Sequence, residues 1–365
     1  MRLTSQIMLA AALTLLELHA MSQSKQLFLP SDPRIEYGGR WEMSDSSHYR
    51  YSWPGVYVCA RFTGRSIGVR LTDATNYYNV EIDGAFHGVF HPAGRAEADY
   101  ILAEGLSDTV HSLRLSRRNI TFDEIYSFAG FILDSARTLL PPTALQQRKI
   151  EFIGDSFTAG ESNETLAQSL DWEARYPVTN IDKGFAPVIA RHFNAQYVTT
   201  CRSGSGIVCD WQGNVNESIP IRFDRVFMDS ETPKWDFSRW IPDVAVVSLG
   251  LNDISGLRGA NGNVSKENTE RFVSEYHKFL STIRLVYPRV KIVIVSPFPE
   301  WIRTQERLIV DEERRLGRND IFYATYDEVP GGYVGNGHPT VATHRVMAEQ
   351  IIKAMESFNL FDSSR

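Results

Sequence analysis

Four short stretches in the second half of the chain carry side chains suited to acyl transfer. "IGDSFTAG" sets Ser156 directly after an apolar run. A serine at a strand end that opens a helix projects into a crevice, with the backbone N–H groups of the turn aimed at whatever it attacks. The same serine is also at home as a helix N-cap, and the motif is not G-x-S-x-G, so the nucleophile elbow of the α/β hydrolases is absent. "TCRSGSGIV" holds Gly204 and Gly206, whose lack of a side chain lets backbone amides approach a ligand. "LGLNDI" places Asn252 just past a buried strand, where its amide can donate to a developing oxyanion. "YVGNGHPTVATH" places His338 between a glycine and a proline at the mouth of a helix. A neutral imidazole there can take the serine proton and return it to the leaving group. Taken singly, each has an ordinary alternative: an N-cap serine, a loop glycine, a turn asparagine, one surface histidine among nine.

The surrounding texture says what positions these residues. "KIEFIGDS" (149–156), "DVAVVSLGLND" (243–253) and "VKIVIVSPF" (290–298) are short, continuous apolar runs, the pattern of parallel strands covered on both faces. Between them lie helices: "GFAPVIARHFNA" (184–195), leading into the strand "QYVTT", and a stripe of Phe272, Tyr276, Phe279, Ile283 and Val286 at helical spacing. A last helix is expected over 339–355, with Pro339 in its first turn. Strands alternating with helices predict a doubly wound α/β domain, whose ligands sit at the carboxyl ends of the strands. All three glycine turns lie there.

From about residue 35 to 135 the texture is different. "GVYVCARFTG", "SIGVRLTD", "YYNVEIDG", "HGVFHPAG", "HSLRLSRR" and "EIYSFAGFILD" alternate with Gly, Asp and Asn turns, the pattern of an all-β sandwich. Thr63-Gly64 and Asp83-Gly84 read as tight turns. "DSARTLLPPTALQQRK" (134–149), with its Pro-Pro pair, reads as the link between the halves.

Composition excludes other classes. Lys+Arg 38 against Asp+Glu 44 gives a net charge of −6, with no basic stripe to meet nucleic acid. Met1-Arg2 followed by the apolar run Ile7–Ala20 reads as a secretory signal peptide, too short and too interrupted by Glu17 and His19 to span a bilayer. An exported, secreted or periplasmic protein without a membrane span is expected. Cys201 and Cys209 are close enough in sequence for a small-loop disulfide, and three buried free thiols with Cys59 fit equally well. Nothing has zinc-ligand spacing. Sequons stand at Asn119, Asn163, Asn216 and Asn263.

The order of the four blocks, Gly154-Asp155-Ser156, Gly204, Gly250-Leu251-Asn252-Asp253 and His338, resembles the SGNH (GDSL-type) hydrolase superfamily over residues 149–358. With "YSWPGVYVCARFTGRSIGVRLTD", "VEIDG", "HSLRLSRR" and "FAGFILD" ahead of "RKIEFIGDSFTAG", the whole chain looks like carbohydrate esterase family 2. That resemblance implies a jelly-roll-like β-sandwich over 23–140 and an SGNH domain over 141–365, after a signal peptide over 1–22. It implies Ser156 as nucleophile, His338 as general base and acid, and an oxyanion hole of Ser156 N–H, the Asn252 side chain and Gly204 N–H, with Gly206 as the alternative register. It implies a serine esterase that releases acetyl groups from plant polysaccharides or oligosaccharides of the xylan or glucomannan type, as a monomer and without metal or cofactor. Esters of pectic or sialic sugars, or carbohydrate binding by a catalytically weak site, are the alternatives.

The chain departs from that superfamily at the acid. Many members carry Asp three residues before the histidine, where this chain has Gly335; family 2 members often carry it two before, where this chain has Asn336. A Ser–His dyad follows, with Asn336 or a main-chain carbonyl orienting the imidazole. Asp327 is too distant in sequence to assign. Trp211, after the glycine loop, and Trp301, after "SPFPE", are candidate sugar-stacking residues beside the crevice.

Overall fold

The computed structural model describes residues 25–361; the signal-peptide reading lies outside them. Twelve strands precede the first parallel one: β1 (Lys25–Phe28), β2 (Glu36–Gly38), β3 (Glu42–Asp45), β4 (His48–Tyr51), β5 (Tyr57–Gly64), β6 (Ile67–Asp73), β7 (Tyr78–Ile82), β8 (Ala85–Phe90), β9 (Gly94–Ala103), β10 (Thr109–Arg117), β11 (Tyr126–Asp134) and β12 (Leu139–Leu140). They form two six-stranded sheets, one ordered β3-β4-β11-β6-β9 with β1 against β11, the other β12-β5-β10-β7-β8 with β2 against β5. All pairings are antiparallel. Strict alternation along β5 turns Val58, Ala60 and Phe62 inward against Val69, Leu71, Phe131 and Leu133.

Asp83 and Gly84, both at positive φ (54° and 77°), close the two-residue turn between β7 and β8. Thr63-Gly64 does not close a hairpin. β5 and β6 lie in different sheets, so the turn is a corner between layers. β9 escapes the sequence pattern because it is a largely exposed edge strand, "GRAEADYILA", with few β-branched residues.

The second half is a five-stranded parallel sheet: β13 (Arg148–Gly154), β14 (Ala195–Cys201), β15 (Val244–Ser248), β16 (Lys291–Ser296) and β17 (Ile321–Thr325), ordered β14-β13-β15-β16-β17. Helices α1 (Phe185–His192), α2 (Leu251–Leu257), α3 (Lys266–Val286), α4 (Glu300–Arg315) and α5 (Val341–Glu356) connect and cover it. Period-two alternation assigns the faces. Phe152, Val244, Val246 and Val293 pack under α1 and α5. Ile153, Ala245, Val247 and Ile292 pack under α3 and α4. The strand order reverses between β13 and β15, the switch point at which crevices open in such sheets.

α5 begins at Val341. Thr340 caps it by accepting from Thr343 N–H (3.1 Å), so Pro339 stands outside the helix, paired in a two-residue ladder with Tyr333. Cys59, Cys201 and Cys209 are all free thiols. Asn119 and Asn163 are buried and hydrogen-bonded to Tyr77 N–H and to the Asn180 backbone, whereas Asn216 and Asn263 are exposed.

The two halves are tied through polar contacts that a hydrophobicity pattern does not reveal. Arg40, only 1% exposed, reaches from the sandwich to Glu151 on β13 (3.0 Å) and to the Phe223 and Arg225 carbonyls. Thr200 donates to the same Glu151 oxygen (2.6 Å). Arg114 pairs with Asp182 (2.9 Å), which also accepts from Asn79 and Ser116. Burial raises the Asp182 carboxyl, but the Arg114 charge and these donors outweigh it and hold it well below the usual range.

Candidate active site

Gly154 ends β13, and the chain doubles back over it so tightly that a Cβ there would lie 2.0 Å from Thr158 Oγ1. The helix expected after Ser156 does not form. Residues 155–164 make successive turns instead, with Glu161 N–H donating to the Ser156 carbonyl (3.1 Å) and Ala159 N–H to the Asp155 carbonyl (3.0 Å). Ser156 is buried, 8% exposed, at the carboxyl end of the sheet. Asp155 accepts from Phe157 N–H (3.0 Å), so the motif's acid braces the turn. Burial, with the neighbouring Asp253 charge adding to it and the Phe157 bond opposing, pushes the Asp155 carboxyl up to about 7.

The loop after β14 supplies the glycines. Gly206 donates its N–H to the Cys209 carbonyl (2.8 Å), and a Cβ on it would fall 2.2 Å from Asp253 Oδ2. It is a packing glycine. Gly204, at φ +80°, has no acceptor for its N–H among the described residues. Asp253 holds this loop by accepting from Ile207 and Val208 N–H (2.8 and 2.7 Å), and burial raises its carboxyl to about 6 against those bonds. Asn252 sits in the first turn of α2, its Nδ2 3.0 Å from the Ser205 carbonyl and 3.3 Å from Asp155 Oδ2. Gly204 and Asn252 thus follow β14 and β15, the two strands that flank β13 at the switch point, and the N–H of Ser156 is likewise unbonded to any described acceptor.

His338 stands in the short ladder of Tyr333–Val334 with His338–Pro339, its side chain 12% exposed. Its Nδ1 lies 2.7 Å from the Gly335 carbonyl oxygen. A carbonyl only accepts, so Nδ1 carries the proton and Nε2 the lone pair. Gly335, Asn336 and Gly337 all adopt positive φ (48°, 69° and 90°), which curls the loop until the Gly335 carbonyl faces the ring. The loop is clamped from outside: Gly335 N–H and Asn336 N–H donate to the Ala167 and Gln168 carbonyls (2.7 and 2.8 Å).

The Asn336 side chain is not the orienter. Its Oδ1 accepts from Leu170 N–H (2.8 Å) and its Nδ2 reaches Ser169 Oγ (3.4 Å), because αL geometry at 336 turns the side chain away from the ring. Asp327 is exposed and pairs with Arg303 (3.4 Å).

The sequence does not single out the carboxylate nearest the imidazole, Glu161. It is buried, its Oε2 3.7 Å from His338 Nε2 and its Oε1 2.6 Å from Arg175. Its place among small and polar turn residues gives no periodic signal. Behind this site His344 is fully buried, held neutral by burial and by the His338 charge, its pKa down to about 3.

The two tryptophans part company. Trp211 N–H donates to the Gly204 carbonyl (2.9 Å), and its indole, 56% exposed, lies against that loop. Trp301 turns into the groove between α3 and α4, packing on Phe272 (5.0 Å) and donating to Thr269 (3.3 Å); nothing links it to Ser156 or His338. That groove, about 1440 Å³, lies away from the strand ends. Among the described residues no group of three potential metal ligands occurs, and no helix is long and apolar enough to cross a membrane.

Residues 37–142 match the carbohydrate esterase 2 N-terminal family. An acetylxylan esterase / glucomannan deacetylase of Cellvibrio japonicus is 29% identical over 79% of this chain and 79% of its own length. The N-terminal part of the chain thus matches a carbohydrate esterase 2 family, and the proteins it resembles over most of its length are esterases. A second relative, cellulase/esterase CelE of Acetivibrio thermocellus, is 28% identical over 88% of the chain, which spans only 39% of that protein's length. A family 2 carbohydrate esterase from Clostridium thermocellum, solved in complex with cellohexaose, superposes with a TM-score of 0.81 at 26% identity, covering 88% of this chain and 98% of that one. That structure therefore shares the fold described above, an antiparallel sandwich followed by a parallel sheet with helices.

Proposed function

We propose that this chain is a family 2 carbohydrate esterase, an exported serine esterase that removes O-acetyl groups from plant cell-wall polysaccharides or oligosaccharides of the xylan or glucomannan type. The observation that carries the reading is the bond between His338 Nδ1 and the Gly335 carbonyl, because it leaves Nε2 as a base of fixed orientation with no carboxylate required.

In this mechanism Ser156 Oγ attacks the acetyl carbonyl carbon while its proton passes to His338 Nε2. The C=O π pair moves to oxygen, and the oxyanion meets Ser156 N–H, Gly204 N–H and the Asn252 amide. Nε2 then gives its proton to the sugar oxygen as the C–O bond breaks, leaving acetyl-Ser156 and a free hydroxyl. Water repeats the sequence, with Nε2 again as base, and acetate departs. The imidazolium formed in each half lies 3.7 Å from Glu161, whose charge is shared with Arg175. Trp211, exposed beside the Gly204 loop, is the stacking residue in this reading. The relative solved with cellohexaose bears on a second reading, a binding site of low activity.

Acetate release from acetylated xylan, glucomannan and pectin, with the deacetylated positions read by NMR and a Ser156→Ala control, tests the proposal. Release from xylan or glucomannan that the control lacks supports it. Glycan binding without release from any of the three replaces it with the binding reading.

A further inference from the structure

Four side chains outside the reacting groups form a ladder across the two halves of the molecule. Arg175 lies over the Trp172 ring (5.0 Å), Trp172 stacks on Phe122 (4.8 Å between centroids, 14° between planes), and Arg202 lies over Phe122 (4.5 Å). Phe122 comes from the loop between β10 and β11 of the sandwich. The other three belong to the hydrolase half, on two separate segments. Aromatic stacking and cation–π contacts of this kind fix both the spacing and the tilt of their partners.

Each end of the ladder is one side chain from the site. Arg175 donates to Glu161 (2.6 Å), whose other oxygen lies 3.7 Å from His338 Nε2; its Nε also reaches the Leu170 carbonyl (3.4 Å), in the segment that clamps the Gly335–Asn336 loop. Arg202 precedes the oxyanion glycine by two residues. Its backbone N–H donates to the Gly154 carbonyl (3.2 Å), its Nη1 to Ser205 Oγ (3.2 Å), and its Nε to Asp229 (2.8 Å). The sandwich grips that end twice, since Asp123 N–H donates to the same Asp229 carboxylate (3.2 Å).

We infer that Phe122 is a positioning residue: a sandwich side chain that, through Trp172–Arg175 and through Arg202, sets the histidine side of the site and the oxyanion loop at one fixed separation. Strand pairing joins the two sides only as far as Gly154 and Cys201; beyond those residues Phe122 lies between the Trp172–Arg175 segment and Arg202. Phe122 touches no reacting atom. The inference rests on the esterase reading for its kinetic readout but not for its structural one.

The test is Phe122→Leu, which keeps apolar bulk and removes the ring, beside Phe122→Tyr, which keeps the ring. On a small activated acetyl ester, Phe122→Leu is expected to lower kcat about ten- to a hundredfold, the scale of a misplacement of an ångström or less, with KM little changed; Phe122→Tyr is expected to restore kcat. In parallel, amide hydrogen exchange is followed over 156–164 and 202–206. Both segments are expected to exchange faster in Phe122→Leu and at the original rate in Phe122→Tyr. Unchanged kcat with exchange altered only around 120–124 overturns the inference. If the unaltered protein hydrolyses no ester, the esterase reading fails, and the exchange data alone decide this one.

Discussion

The Gly335 carbonyl oxygen stands 2.7 Å from His338 Nδ1, in the place where a serine hydrolase commonly keeps a carboxylate. The bond fixes tautomer and ring orientation, and it supplies a dipole where others supply a full charge. Several consequences can be measured.

Asn336→Ala keeps the backbone carbonyl that orients the ring and loses only the contacts to Leu170 and Ser169. Its kcat is expected to stay within about threefold of the original, as for a surface substitution. A loss as large as that of Ser156→Ala would return the role to the amide side chain.

Gly335→Ala is the severe partner of that experiment. At φ +48° a Cβ would sit 2.4 Å from Ser162 Cβ, so the loop must move and take the carbonyl with it. A fall in kcat on the order of a hundredfold is expected, and an Nδ1–H proton signal lost from the low-field NMR spectrum would identify the cause.

In the proposed mechanism, Asn252→Ala removes an oxyanion donor while leaving serine and histidine in place. Loss of one such donor costs about 100- to 1000-fold in kcat. Acetyl-ester turnover by this variant with KM near the original is the expected result; a loss confined to KM would assign Asn252 to substrate binding instead.

Asp155 makes stability depend on pH. Its carboxyl stands near 3.8 when unfolded and about 7 when folded. Between those values the folded state holds the extra proton, so this contribution is full below pH 4 and is lost as pH rises through 7. Asp155→Asn cannot titrate, so the stability of the variant relative to the original protein, followed as the Tm difference, is expected to rise from pH 4.5 to pH 7 and level off above it, with the relative unfolding constant changing by at most about tenfold per pH unit. Parallel Tm curves would remove Asp155 from this role.

Arg40→Ala strands the Glu151 carboxylate inside the sheet and is expected to cost about 3–5 kcal/mol in denaturant unfolding. Arg40→Met with Glu151→Leu removes both charges and is expected to recover much of that loss. Equal destabilisation by single and double variants would show that the pair matters through packing alone.

What was legible in the chain follows the physics of each signal. The inner parallel strands announced themselves because both faces are buried, so "VAVVS" reads apolar without interruption; β17, at the edge and only partly buried, was missed. Helix α3 was legible from its stripe, and α4 was missed because its buried face includes Glu306 and Glu313, which break the apolar period. Edge strand β9 was missed because exposure leaves it free of pattern. Ser156, Gly204, Asn252 and His338 stood out because each follows a strand or precedes a helix. Glu161, Arg175, Arg202 and Phe122 did not. Their meaning lies in contacts across 14 (Arg175–Glu161), 80 (Arg202–Phe122) and 177 positions (Glu161–His338), and no single-sequence period encodes such contacts. Trp301 misled because a position after a strand end says nothing about which way the first turn of a helix points its side chain.

The left-handed loop at 335–337 also bears on where an acid can be placed. An acid at 335 needs a side chain where Ser162 already stands, so it would have to arrive together with a change at 162. An acid at 336 fits the backbone but would inherit a side-chain direction toward Leu170, away from the imidazole. In this loop, then, a carboxylate introduced at 335 or 336 is not brought to the imidazole by that replacement alone.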